Sequence, residues 1–131
     1  MAKLVFRTDA RGSEIDAITR KSLWEQGMDY NHGTGHGVGY CLGVHEFPPT
    51  ISKNSDSVLM IGQLLSNEPG FYIPRKFGIR LENLILVKKF SNSIHNKFFC
   101  FETVSFCHFE NTLINKDLLD KKEVHWLNNY H

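Results

Sequence analysis

The sequence predicts an α/β fold of the α+β kind, with a few helices flanking a run of short strands. Three observations carry this reading. Residues 14–26 combine helix-forming residues with apolar side chains at helical spacing. Residues 63–68, 77–87 and 97–106 are short apolar runs, separated by proline, glycine or polar turns as strands are. A second helical face returns near the C-terminus, where Leu119, Glu123, Trp126 and Tyr130 fall roughly on one side. The chain has 131 residues, enough for one domain with a modest core.

Each element has a local reason. Ala10-Arg11-Gly12 reads as a turn, and Ser13 is suited to cap the first helix, with Asp16 as a weak capping box. Ile15, Ile18, Leu23 and Trp24 are the helix residues expected to be buried, and Gly27 is its stop. The chain then enters Asn31-His32-Gly33-Thr34-Gly35-His36-Gly37-Val38-Gly39. Each Gly costs ~1 kcal/mol against Ala in a helix, so this stretch is read as extended or looped. Its imidazoles then project into one pocket. Phe47-Pro48-Pro49 is incompatible with a helix interior or a central strand, and is expected as a rigid loop at the pocket rim. Residues 52–57 read as a solvated loop. The strand at 63–68 stops at Pro69, which pushes Glu68 into extended geometry. Residues 71–76 read as the next bend. In the run 77–87, alternation puts Arg80 and Glu82 on one face and Ile79 and Leu81 on the other. An Arg80–Glu82 salt pair is the plain reading of those charges. Residues 91–96 read as a polar turn, and Asn115 or Asp117 as the cap of a last helix.

Composition excludes several functions. Hydrophobic content of 41% and charged content of 22% are those of a soluble globule. The formal charge is +1, with Lys and Arg scattered, so neither nucleic acid nor an acidic membrane surface is indicated as a partner. The Phe-rich run 97–106 lacks interleaved basic residues and reads as core, not as a base-stacking platform. No apolar run approaches the ~20 residues of a bilayer span, and the first residues lack a signal-peptide core. Cys41, Cys100 and Cys107 have no metal-like spacing and read as reduced thiols of a cytoplasmic protein.

Three ionisable side chains sit where the backbone is pinned: His36 by glycines, Glu68 by Pro69 and Glu82 by a strand. One imidazole with two carboxylates suits a divalent Mn, Co, Zn or Fe ion. The bland alternative is a Gly-rich turn with incidental surface histidines.

These residues also carry a resemblance. His32-Gly-Thr-Gly-His36-Gly-Val-Gly, then Val44-His45-Glu46, then Asn67-Glu68-Pro-Gly-Phe-Tyr72, then Gly78-Ile-Arg80-Leu-Glu82-Asn83 occur in order. Together they resemble the second half of the catalytic domain of aminopeptidase P, a Xaa-Pro aminopeptidase of the pita-bread metallopeptidases. The tail from Lys122 to His131 is similar to the C-terminal extension of the long cytosolic form. The resemblance implies a curved, mainly antiparallel sheet with packed helices, an incomplete domain over residues 1–110, and the start of the extension over 111–131. It implies His36, Glu68 and Glu82 as metal ligands, Glu82 bridging two ions, with manganese the usual metal. It implies His32 and His45 as histidines that hold substrate, Arg80 and Tyr72 as an orienting network, and Glu68 as proton relay. The implied reaction removes an N-terminal residue from peptides with proline second. Two of five family ligands are aspartates upstream of this region, and Asp9 and Asp16 lie in the wrong context to replace them. Phe47 stands where glycine is usual after His-Glu.

The resemblance therefore implies a fragment carrying three of five ligands, with little activity alone. Its implied partners are a Pro-containing peptide, a chain supplying the missing half-domain, and a second copy in a homodimer. Two other readings compete. One is a non-enzymatic pita-bread remnant that binds peptide or protein. The other is a mononuclear His/Glu/Glu hydrolase, since three ligands and water make a catalytic zinc site.

Overall fold

The computed structural model describes residues 1–41, 43–92, 94 and 97–130. The elements run β1 (Val5–Arg7), α1 (Gly12–Trp24), β2 (Gly35–Gly37), β3 (Glu46–Ile51), β4 (Leu64–Asn67) and β5 (Gly70–Ile73). Then follow β6 (Phe77–Arg80), β7 (Asn83–Lys89), β8 (Phe98–Thr103) and α2 (Lys121–Tyr130). Six strands form one sheet in the order β1-β8-β7-β4-β2-β3, and β5 pairs with β6 in a separate hairpin. Every pairing is antiparallel, as the resemblance implied.

The core follows from strand alternation. Leu65 of β4 faces Ile85 of β7 in register, and Val87 faces Phe101 of β8. These four join Phe6, Ile15, Ile51 and Leu59 in one buried cluster. At ~25 cal/mol per Å² of apolar surface, such side chains are the main stabilising term.

The first helix departs from expectation at its start. It begins at Gly12, and the Glu14 carboxylate accepts the Arg11 N–H at 2.7 Å. Ser13 instead donates its own N–H to Ser55 O. Gly27, at φ +67°, ends the helix as the sequence suggested. Its N–H reaches Trp24 O at 2.9 Å, and the Met28 N–H reaches Leu23 O at 2.9 Å, a Schellman closure. Ile15 is buried, but Ile18 and Trp24 are about half exposed. The buried helix positions are taken by Asp16 and Arg20, at 1% exposure each.

Four further expectations are corrected. Phe47-Pro48-Pro49 lies within β3, at the sheet edge, where a missing N–H costs no ladder bond. Residues 71–73 belong to the strand β5, and only 74–76 turn. The run 77–87 is two strands, broken at Leu81-Glu82. The last helix starts at Lys121, capped by Asp120, whose carboxylate accepts the Glu123 N–H at 2.8 Å. Asn115 caps only a short 3₁₀ turn at Lys116–Leu118. Of the turn read at 91–96, residues 93, 95 and 96 lie outside the described residues.

Candidate functional site

His36 sits on β2, between β3 and β4. The glycines beside it are there for close approach. A Cβ on Gly35 would stand 2.2 Å from Ser66 O, and one on Gly37 would stand 2.4 Å from Glu46 O. Glu68 follows β4 directly, and its N–H bonds Thr34 O at 2.9 Å.

The His36 ring is oriented by its own backbone. Nδ1 lies 2.8 Å from Gly37 O, so Nδ1 must carry the proton there. In the neutral ring Nε2 is then a bare acceptor, and it faces Glu68 Oε1 at 3.2 Å. Glu68 Oε1 also accepts from the Ser66 hydroxyl at 2.8 Å. The Ser66 Oγ in turn accepts the His36 N–H at 2.9 Å. Two acceptors pointed at each other call for positive charge between them, a proton or a metal ion. A histidine that gives its second N–H to a backbone carbonyl is the usual arrangement of a metal ligand.

Arg80 supplies the neighbouring positive charge. Its Nη1 is 3.5 Å from Glu68 Oε2, so the salt pair read between Arg80 and Glu82 forms with Glu68 instead. Arg80 Nε donates to the Tyr72 hydroxyl at 3.1 Å. That hydrogen bond, ahead of burial, holds the Arg80 pKa above its ordinary value. Tyr72 OH lies 2.8 Å from His32 Nε2. His32 Nδ1 is 2.8 Å from Gly33 O and donates there. Nε2 therefore accepts from Tyr72, and the bonds run in one direction from Arg80 to His32. The His45 ring centroid is 4.2 Å from that of His36, and Phe47 stacks on His45 at 6.2 Å with 7° between planes.

These side chains line an open cleft of about 400 Å³, walled by His32, His36, His45, Phe47, Glu68 and Arg80 among others. The structure thus brings together His32, His36, His45, Glu68, Tyr72 and Arg80. Glu82 is exposed at the β6–β7 break, and its charge acts on Arg80. Among the described residues no three His, Cys, Asp or Glu side chains form a group able to hold an ion. The donor chemistry of His36 and Glu68 fits one side of a divalent cation, and further donors would have to complete it.

Sequence reasoning missed Ser66, which braces both donors. Its place two residues before Glu68, on the same strand face, was the available signal. It also missed the support behind His32. Arg20 Nε pairs with Asp16 Oδ2 at 2.7 Å, and Nη1 with Asp29 Oδ1 at 2.6 Å. The Asp16 carboxylate accepts the Thr34 hydroxyl. Burial pulls the Arg20 pKa down, but its bonds to Asp16 and Asp29 outweigh that and leave it raised. Asp29 is held below the ordinary carboxylate value: desolvation raises it, and the Lys53 and Arg20 bonds outweigh that.

An imidazole and a carboxylate that converge in a cleft on an antiparallel sheet are donors of the kind a divalent cation takes. The chain belongs to metallopeptidase family M24, whose model matches residues 1–89. The model for the C-terminal region of that peptidase matches residues 97–131. The probable Xaa-Pro aminopeptidase P of Laccaria bicolor is 43% identical over 97% of this chain and 21% of its own length. Xaa-Pro aminopeptidase 1 of Dictyostelium discoideum is 40% identical over all of this chain and 22% of its own. The X-prolyl aminopeptidase structure from Caenorhabditis elegans, described as a cytosolic enzyme with a di-nuclear active site, superposes with a TM-score of 0.88. It is 37% identical, and the match covers 100% of this chain and 21% of that one. The chain therefore spans about a fifth of the relatives it matches. Its curled antiparallel sheet with two helices is part of the pita-bread fold. No helix among the described residues is long and apolar enough to cross a membrane.

Proposed function

We propose that this chain forms one wall of the active site of a metal-dependent, cytoplasmic Xaa-Pro aminopeptidase, and has little activity without the rest of that site. The observation that carries the reading is the His36 Nε2–Glu68 Oε1 contact at 3.2 Å, where two acceptors await a cation. His36 and Glu68 would hold one side of a divalent centre, with Glu82 a third ligand. Manganese is the ion we assign, two in the complete site. Bound there, a divalent ion supplies a Lewis acid and a water acidified toward neutrality.

The chain's own groups do the rest. Ser66 holds Glu68 Oε1 in place, so that this carboxylate accepts and returns a proton without reorienting. Arg80 stabilises negative charge beside Glu68 Oε2, and Tyr72 holds Arg80 from its far side. His32 and His45, which line the cleft with His36, hold the peptide beyond the scissile bond. Peptides with proline at the second position are the proposed substrates, by analogy with the named relatives. We place the end of the catalytic half near residue 110, because β8 pairs with both β1 and β7 in the sheet.

The test is reconstitution. A polypeptide supplying the upstream half should restore manganese-dependent release from Xaa-Pro peptides, and His36→Ala should abolish it. Release unchanged by His36→Ala overturns the assignment. The alternative reading is a non-catalytic peptide-binding remnant. Calorimetric titration separates the two: no manganese binding at millimolar metal to the reconstituted protein supports the remnant.

A further inference from the structure

We propose that Arg20, buried on α1 behind the cleft wall, is the positioning residue for His32. This rests on the reading of His32 as a substrate-holding histidine. Arg20 is 1% exposed. Its guanidinium makes four bonds: Nε to Asp16 Oδ2 at 2.7 Å, Nη1 to Asp29 Oδ1 at 2.6 Å and to Tyr30 O at 2.7 Å, and Nη2 to His32 O at 2.7 Å. The Tyr30 ring covers one guanidinium face, 3.7 Å from the central carbon.

The pattern of acceptors sets this apart from a mere helix anchor. A well-packed apolar side chain would hold α1 as well, because a buried ion pair is a poor source of stability. Three of the four acceptors belong to residues 29–32, the strip of backbone that delivers His32 to the cleft. Asp16, the fourth partner, also accepts from Thr34, two residues past His32. The backbone is therefore gripped from α1 on both sides of this histidine.

The ring depends on that grip. His32 Nδ1 donates to Gly33 O, so the orientation of the ring is tied to the backbone that runs from the His32 carbonyl to the Gly33 carbonyl. Nε2 is thereby left bare to accept from Tyr72 OH. If the His32 carbonyl is released and swings, the Gly33 backbone that follows it moves too, Nδ1 separates from Gly33 O, and the tautomer is no longer fixed. Only arginine offers a planar fork with five N–H groups, of which four are used here. Lysine at this position keeps the charge and loses the fork.

Long-range ¹H–¹⁵N spectra of the imidazoles in the 131-residue chain test the proposal. In the wild-type chain His32 should show one protonated ring nitrogen, Nδ1, and one bare nitrogen, Nε2. In Arg20→Lys the two His32 nitrogen signals should move toward each other, as tautomers interchange, while those of His125 stay put. Asp29→Asn, which removes the charge of one outer partner of Arg20, should lower stability and leave His32 unmoved. An unmoved His32 in Arg20→Lys overturns the proposal, and so does an equal movement in Asp29→Asn. Should Arg20→Lys not fold, the wild-type guanidinium decides. Separately resolved, slowly rotating Arg20 Nη–H signals support the grip, and one averaged signal overturns it. None of these spectra needs metal or turnover, so their failure is distinguishable from failure of the peptidase reading.

Discussion

Gly35→Ala should be the most damaging single-methyl change in the His/Gly stretch. A Cβ at Gly35 would sit 2.2 Å from Ser66 O, a backbone atom that no rotamer can move. Ordinary C···O contact begins near ~3.3 Å, so β2 must retreat from β4 by about 1 Å. Three bonds cross that gap: Val38 N–H to Leu64 O at 3.0 Å, Glu68 N–H to Thr34 O at 2.9 Å, and His36 N–H to Ser66 Oγ at 2.9 Å. Their loss at ~1 kcal/mol each, with about 1–3 kcal/mol of overpacking strain, gives roughly 4–6 kcal/mol. That approaches the whole stability of a small domain, ~5–15 kcal/mol. Gly33→Ala is the control, because its Cβ would meet nothing closer than 3.5 Å. It should cost below ~1 kcal/mol. Urea denaturation with a common slope measures both. Equal midpoints for the two variants would refute the reasoning and show that β2 has room to spare.

Two more expectations follow from the same bonds. Tyr130→Phe keeps the buried ring but removes a hydroxyl that accepts from Asn83 Nδ2 at 2.7 Å and bonds both Cys107 N and Cys107 O at 2.9 Å. With the bonds to buried Asn83 and to the Cys107 backbone lost, at roughly 1–3 kcal/mol, amide exchange in α2 should quicken by about tenfold or more; unchanged protection would mean this contact does not hold the helix. Asp29 is depressed below its ordinary 3.8 in the folded chain, so its contribution is present above that pH and lost as pH falls below it. The stability gap between wild type and Asp29→Asn should therefore shrink from about pH 6 to about pH 3, and a constant gap in urea titrations across that range would contradict the pairing.

Much of the fold was legible where burial and alternation coincide. Leu65, Ile85, Val87 and Phe101 announced their strands because their inward faces are apolar. The hairpin was not legible for the opposite reason. Phe77, Ile79 and Leu81 are apolar yet exposed, so alternation ran through the break at Leu81-Glu82 without a mark. The β3 prolines misled because they forbid a central strand but tolerate an edge. Asp16 and Arg20 were missed because charged residues are read as outward-facing by default, whereas four bonds make this pair an inward one. The convergence of His36 and Glu68 was legible because Gly35, Gly37 and Pro69 constrain the chain around them. Glu82 was assigned to a continuous strand that does not exist, and its exposed position follows from that break.

The half-built look of the cleft has a physical consequence. His36 is held in one tautomer by Gly37 O, and Glu68 is held by Ser66, so both donors are arranged before any cation arrives. Their orientation cost is already met, and the shortfall lies in the number of ligands. Two donors leave most of an ion's coordination to water, and Arg80 at 3.5 Å from Glu68 Oε2 opposes added positive charge. Affinity should then rise steeply with each donor added from outside this chain, because every new ligand meets a pair that needs no rearrangement.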